Sequence, residues 1–175
     1  FNPAQSIPLV ELFALPETLE STVKSIEELY KRSGKVTVRV KKDINGMIGN
    51  RIQGAICREA LSLLENDVCS GEDLGKVMMF GPCFRYAAMD YLEIIDMGGI
   101  DIWYTVYDKL FKELSSAQNA SPLLRDKAKA GELGWKTGKG FYSYDEEAKQ
   151  QVLHRYIRNL AKQLKTSVNY RKDEV

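Results

Sequence analysis

Three side chains carry most of the chemistry this 175-residue sequence offers: Glu11, Asn50 and Lys136. Glu11 interrupts the otherwise apolar run Leu9-Val-Glu-Leu-Phe-Ala-Leu15. A carboxylate inside a buried strand must be paired, hydrogen-bonded or neutralised. It therefore reads in one of two ways: solvated where the strand ends early, or orienting and charging a partner at a site. Asn50 sits beside Arg51, a buriable amide next to a fixed cation. Lys136 opens the glycine-rich segment Lys136-Thr-Gly-Lys-Gly140. That segment lacks the Gly-x-x-x-x-Gly-Lys-Ser/Thr pattern of a phosphate loop, and no Gly-x-Gly-x-x-Gly occurs anywhere. It reads as a surface loop, or as one from which Lys136 and Lys139 reach a phosphate or a cofactor amide. The single histidine, His154, stands among Lys149, Arg155 and Arg158 and reads as a solvated surface residue. No serine, cysteine or histidine triad can be assembled around it. Cys57, Cys69 and Cys83 lack metal-ligand spacing. A carboxylate and an amide can orient and polarise, but they make an incomplete acid–base set. The residues amount to half of an active site.

Positioning falls first to residues 46–65. Ile48, Ile52, Ala55, Ile56, Ala60, Leu63 and Leu64 recur at three- and four-residue steps, the helical period. This stretch is expected to form the central helix of a helical domain, with Asn50 near its start. Upstream, Ile7–Leu15 reads as a strand buried on both faces. Pro16 and Glu17 open a helix with buried face Leu19, Val23, Ile26, Leu29 and Tyr30, and Gly34 closes it. Residues 35–40 alternate as a second strand. The result is a βαβ unit, and two strands alone make a marginal sheet. Residues 1–40 thus read as the last piece of a larger α/β sheet whose other strands come from elsewhere.

Downstream the pattern is helical. Ser70 and Asp73 form an approximate capping box ahead of a helix that Gly81-Pro82 stops. Further helices are expected over 85–97, 100–114, 121–130 and 145–164. Trp103, Tyr107 and Phe111 make an aromatic stripe of the kind that serves as core or subunit interface.

Composition narrows the function classes. Apolar residues make up 44% of the chain, ample for a core, and the net charge is +1. That balance excludes the basic footprint of a nucleic-acid binder. No apolar run approaches the roughly 18 residues of a membrane span. Three cysteines without a disulfide framework suit a reducing, cytoplasmic setting.

Five motifs, in order, resemble the 3-hydroxyacyl-CoA dehydrogenase family: Phe1-Asn2-Pro3, Ile7-Pro-Leu-Val-Glu11, Gly46-Met-Ile-Gly-Asn50-Arg51, Ser70-Gly-Glu-Asp73 and Leu133-Gly-Trp-Lys136-Thr-Gly-Lys-Gly-Phe-Tyr142. The resemblance implies an N-terminal Rossmann-like domain that binds NAD and a helical C-terminal domain that dimerises. It places the catalytic histidine just ahead of Phe1. Glu11 matches the carboxylate that pairs with that histidine, and Asn50 the asparagine near the substrate carbonyl. Lys136 matches a lysine that approaches the cofactor, and Asn2 helps shape the histidine loop and substrate site. The implied fold is mainly α: a terminal βαβ remnant over 1–42, then a helical dimerisation and substrate domain over 43–175.

The implied reaction is NAD-dependent oxidation of (3S)-3-hydroxyacyl-CoA to 3-ketoacyl-CoA. By itself the chain is expected to be inactive, because base and cofactor fold lie outside it. Departures from the family pattern at Cys83 and Met89-Asp90-Tyr91 lie near the expected acyl-CoA approach. The long C-terminal helix, with the runs Asn50-Arg-Ile-Gln53 and Arg58-Glu-Ala60, resembles relatives acting on other 3-hydroxy acids, such as lambda-crystallin-like or carnitine dehydrogenases. The rival reading is a non-catalytic helical module that dimerises through its aromatic stripe.

Overall fold

The computed structural model describes Phe1 and residues 3–172, with side chains to Ser167. Asn2 lies outside the described residues. The chain is mainly helical and begins with the expected βαβ unit. Strand β1 (Leu9–Phe13) leads to helix α1 (Glu20–Arg32) and strand β2 (Val36–Val40). The strands pair in parallel, with Leu9 opposite Val36, Glu11 opposite Val38 and Phe13 opposite Val40.

Helix α1 starts later than Pro16 and Glu17 suggested. The Thr18 N–H donates to the Leu15 carbonyl at 2.9 Å. Pro16 thus occupies the second position of a β-turn, which its fixed φ favours, and the chain reverses before the helix begins. The far end behaves as expected. Gly34 takes φ +73°, and the N–H groups of Gly34 and Lys35 donate to the Lys31 and Tyr30 carbonyls, a Schellman closure. Arg39 on β2 pairs with Glu20 and Glu27 of α1 at 2.9 and 2.6 Å, fastening helix to sheet.

Only Val23 of the predicted α1 face is buried; Leu19 is 69% exposed and Leu29 54%. The cause is width. Strands lie about 4.8 Å apart, so two of them cover only part of a helix about 10 Å across. The β1 residues are half-buried, not enclosed on both faces.

The helical part comprises α2 (Gly49–Glu65), α3 (Gly71–Phe80), α4 (Pro82–Tyr86), α5 (Tyr91–Gly98), α6 (Ile100–Leu110), α7 (Pro122–Lys129) and α8 (Glu146–Lys172). Ser70 caps α3 by accepting from the Asp73 N–H at 3.0 Å, and Ser121 caps α7 through Leu123. The single helix expected over 85–97 is two. Asp90 Oδ1 accepts from the Leu92 and Glu93 N–H groups at 2.8 and 3.3 Å, and so starts α5 afresh. Helix α6 ends at Leu110, short of Leu114. Helix α8 runs on to Lys172, since no glycine or proline follows Leu164 to stop it.

Helix α2 is not enclosed by its neighbours as a central helix would be. Only Leu61 is buried, while Ile52 is 59% exposed. Its polar side does the connecting instead. Glu59 accepts from the Ser115 N–H at 2.8 Å, and Glu65 accepts from the Ser121 hydroxyl. The aromatic stripe extends beyond α6: Tyr86, Tyr91, Trp103, Tyr107 and Phe111 follow one another at centroid spacings of 5.1, 6.2, 5.0 and 5.1 Å. The Arg85 guanidinium lies over Tyr86 and Trp103. The accessible surface is 13796 Å² for 19.8 kDa. A compact monomer of that mass exposes about 8,600 Å².

Candidate active site

Helix α2 has no cap of its own. Its N-cap residue is Ile48, which offers no side-chain acceptor. The first N–H groups of a helix need partners, and here a residue 37 positions upstream supplies one. Glu11 Oε1 accepts from the N–H of Ile48 at 2.8 Å and of Gly49 at 3.1 Å. The turn before α2 makes this possible. Gly46 and Met47 both hold left-handed backbone, φ +80° and +48°. For a non-glycine residue that costs about 1–2 kcal/mol. The turn aims the helix N-terminus, with its partial positive charge, at β1.

This settles how Glu11 is satisfied. It is half-buried and held by two backbone donors, both on one oxygen. The other oxygen, Oε2, faces Gly49: a Cβ built there would lie 3.3 Å from it. The same Cβ would stand 2.5 Å from the Phe1 ring, so Gly49 is the residue that lets Phe1 close onto this corner.

Asn50 follows at once on α2. Its amide makes no hydrogen bond among the described residues, and it lines a cleft of about 590 Å³ with Phe1, Ile7, Gln53 and Tyr156. The structure therefore brings Glu11 and Asn50 to one helix end, with Phe1 between β1 and the cleft. Among the described residues no charged side chain lines that cleft. A carboxylate with one oxygen fixed can orient an imidazole or another proton carrier through the second. A free amide donor beside it can hold an oxygen that gains negative charge.

Lys136 sits elsewhere, on the loop after α7, and lines no part of the Asn50 cleft. The loop is tightly built. The Gly134 N–H donates to the Lys139 carbonyl at 2.8 Å, Tyr144 to Gly138 at 2.7 Å, and Gly140 to Tyr142 at 2.8 Å. Buried Gly140 approaches Gly134 so closely that a Cβ would meet its Cα at 2.8 Å. Glu132 clamps the loop: its two oxygens pair with Lys127 at 2.9 Å and Lys139 at 2.7 Å. Lys139 first, then Lys127, holds the Glu132 carboxyl down at about 2. Lys127 also donates to the Gly140 carbonyl at 2.9 Å. Two of the three lysines are thereby committed, and Lys136 alone is exposed with no carboxylate partner among the described residues.

Sequence reasoning passed over Glu132 and Tyr156, and noted Gln53 only as part of a run shared with relatives. Gln53 had a usable signal, lying three residues after Asn50 on the same helix face. Tyr156 had none, since it falls in the apolar stripe of α8 with Val152, Leu153, Ile157 and Leu160, which reads as packing. His154 is exposed on α8, in keeping with its surface reading. Among the described residues there is no group of three or more potential metal ligands, and no helix long and apolar enough to cross a membrane. The three cysteines are free.

Residues 1–44 match the NAD binding domain of 3-hydroxyacyl-CoA dehydrogenase, and residues 46–144 match its C-terminal domain. The 5-formyl-3-hydroxy-2-methylpyridine 4-carboxylate 5-dehydrogenase of Mesorhizobium japonicum is 34% identical over 146 residues, which is 83% of this chain and 47% of that protein. A crystal structure of an enzyme of that name, described as an NAD+ dependent dismutase, superposes with a TM-score of 0.87 at 30% identity, covering 99% of this chain and 55% of the other. The (S)-3-hydroxybutyryl-CoA dehydrogenase from Ralstonia eutropha gives 0.57 at 32% identity, covering 83% and 50%. The chain spans about half the length of these relatives. NAD fits the residues present: a parallel βαβ unit of the kind that builds nucleotide-binding sheets, and an uncommitted cation in Lys136. With both domain matches in chain order, this chain belongs to the 3-hydroxyacyl-CoA dehydrogenase family.

Proposed function

We propose that the chain forms the substrate-side half of an NAD-dependent dehydrogenase that oxidises a (3S)-3-hydroxyacyl-CoA to the 3-ketoacyl-CoA. The observation that carries this reading is the pairing of Glu11 with the N-terminus of α2, one residue before the free amide of Asn50. When bound, NAD supplies the hydride acceptor. Glu11 holds the proton-accepting imidazole that the family resemblance places ahead of Phe1, and its charge stabilises the imidazolium. Asn50 donates to the substrate oxygen as charge develops there. Lys136 reaches the cofactor from the helical side, and Asn2 shapes the histidine loop. In this reading the boundary between the two parts lies near residue 43, and the isolated chain does not turn over.

A second substrate class is favoured by one comparison. The likeness of the whole chain to a pyridine carboxylate dehydrogenase, at TM-score 0.87, supports a compact ring aldehyde carrying a carboxylate in place of the acyl thioester, as the formyl group in that enzyme's name indicates. The test is a panel. Full-length protein containing this chain is assayed with NADH and acetoacetyl-CoA, and with NAD and a formylpyridine carboxylate. Reduction of acetoacetyl-CoA, abolished in Glu11→Gln and Asn50→Ala, is the expected result. Turnover of the aldehyde alone would select the second class.

Association completes the proposal. The surface beyond that of a compact monomer is roughly 5,000 Å² on this chain alone, more than the roughly 1,000–2,500 Å² that one subunit gives to an obligate homodimer interface, so a second copy covers part of it. The exposed apolar residues of α2 and the ladder from Tyr86 to Phe111 are the surfaces a second copy covers.

A further inference from the structure

We propose that Tyr156 is a specificity-determining residue, and that with Gln53 it selects substrates carrying a hydrogen-bonding group near the reacting carbon over plain alkyl ones. The inference rests on reading the Asn50 cleft as the substrate site. Tyr156 stands on α8, which begins at Glu146, beyond the residues 46–144 that match the family's C-terminal domain. Yet it lines the same cleft as Asn50. The cleft's inventory is specific. Two aromatic rings, Phe1 and Tyr156, offer flat apolar walls. Three neutral polar ends, the Asn50 and Gln53 amides and the Tyr156 hydroxyl, offer donors and acceptors, and none of the three has a hydrogen-bond partner among the described residues.

With Asn50 given to the reacting oxygen, Gln53 and Tyr156 remain. Gln53 is one helical turn along α2 from Asn50, so the two amides lie on one face. An unbranched alkyl chain laid here strips water from both groups and returns no hydrogen bond. That penalty is what lets a polar site reject the analogue lacking the polar group. A hydroxyl placed at the same point pairs with both. The described lining residues are all uncharged at their side chains, which makes a neutral hydroxyl the better match than a carboxylate. The cleft volume of about 590 Å³ accommodates a small substrate portion.

The experiment uses full-length protein and two probes of equal chain length, (3S)-3,6-dihydroxyhexanoyl-CoA and (3S)-3-hydroxyhexanoyl-CoA. The wild type is expected to favour the dihydroxy probe by about 10-fold in kcat/KM. Tyr156→Phe is expected to cut that preference by about 3-fold or more, with the loss in KM for the dihydroxy probe. Tyr156→Leu should erase it, and Gln53→Leu should act in the same direction. Asn50→Ala separates the two layers of the argument. If Asn50→Ala lowers kcat on both probes while Tyr156→Phe leaves the preference intact, Tyr156 does not set specificity and the site reading stands. If Asn50→Ala leaves kcat untouched, the cleft is not the substrate site and both readings fall.

Discussion

Glu11 and Glu132 are carboxylates in the same chain held in opposite ways. Glu132 gives each oxygen to a lysine, Lys139 and Lys127, and both cations are thereby spent on shaping a loop. Glu11 gives one oxygen to two backbone N–H groups and keeps the other turned toward Phe1 and Gly49. A carboxylate saturated by cations is a fastener. A carboxylate oriented by a helix N-terminus has an oxygen left for a second partner. The contrast assigns chemistry to the first corner and scaffolding to the second, although both look alike as acidic residues in a sequence.

Substitution can break this contrast, and the largest effect is expected at Glu11. In the full-length protein, Glu11→Gln keeps an acceptor for Ile48 and Gly49 but loses the charge. Steady-state assays should show kcat lowered by about 10²- to 10⁴-fold. Asn50→Ala should lower kcat by about 10²- to 10³-fold, with circular dichroism unchanged because the amide has no partner among the described residues to lose. Gly49→Ala should come next. Its Cβ cannot coexist with the Phe1 ring as placed, so the ring must leave the corner. A drop of about 10-fold in kcat/KM is expected, consistent with misplacing a wall of a preorganised site.

Glu132→Gln should be milder and of a different kind. The loop slackens, and the loss should appear in KM for NAD while kcat is largely retained. A strong kcat effect there, equal to that of Glu11→Gln, would erase the distinction between the corners. The smallest effect is the pH response of the clamp. The Glu132 carboxyl is lowered from 4.5 to about 2 by Lys139 and Lys127. Its contribution is therefore fully present above pH 4.5 and is lost as pH falls from there through about 2. Trp135, on the clamped loop, should report the loosening by fluorescence over that window, and Glu132→Gln should flatten the response.

Much of the βαβ unit was legible because its signals are local. Alternation over 35–40, the glycine at 34 and the apolar run around Glu11 each point to one structure. The caps at Ser70 and Ser121 were legible for the same reason. The misreadings share a cause, which is that a tertiary partner decided them. Helix α2 starts without a local cap because Glu11 reaches it from 37 residues away. Residues 85–97 keep a helical period, yet Asp90 finds its own acceptor geometry and divides them. The apolar stripe of α2 predicts burial, but the chain itself does not supply the cover. At the site, Glu11 was legible as an anomaly in a strand and Asn50 through the family motif. Tyr156 was not, because only the fold carries α8 back to the first residues.

The most direct test of the account is Glu11→Gln beside Glu11→Ala in the full-length protein, each measured for kcat and thermal midpoint. The account predicts that the glutamine variant keeps a near wild-type midpoint while losing at least about 100-fold in kcat. The alanine variant should lose activity and also about 1 kcal/mol of stability with the cap. A glutamine variant that turns over normally, or whose loss follows its unfolding, would reduce Glu11 to a helix cap and contradict the central claim.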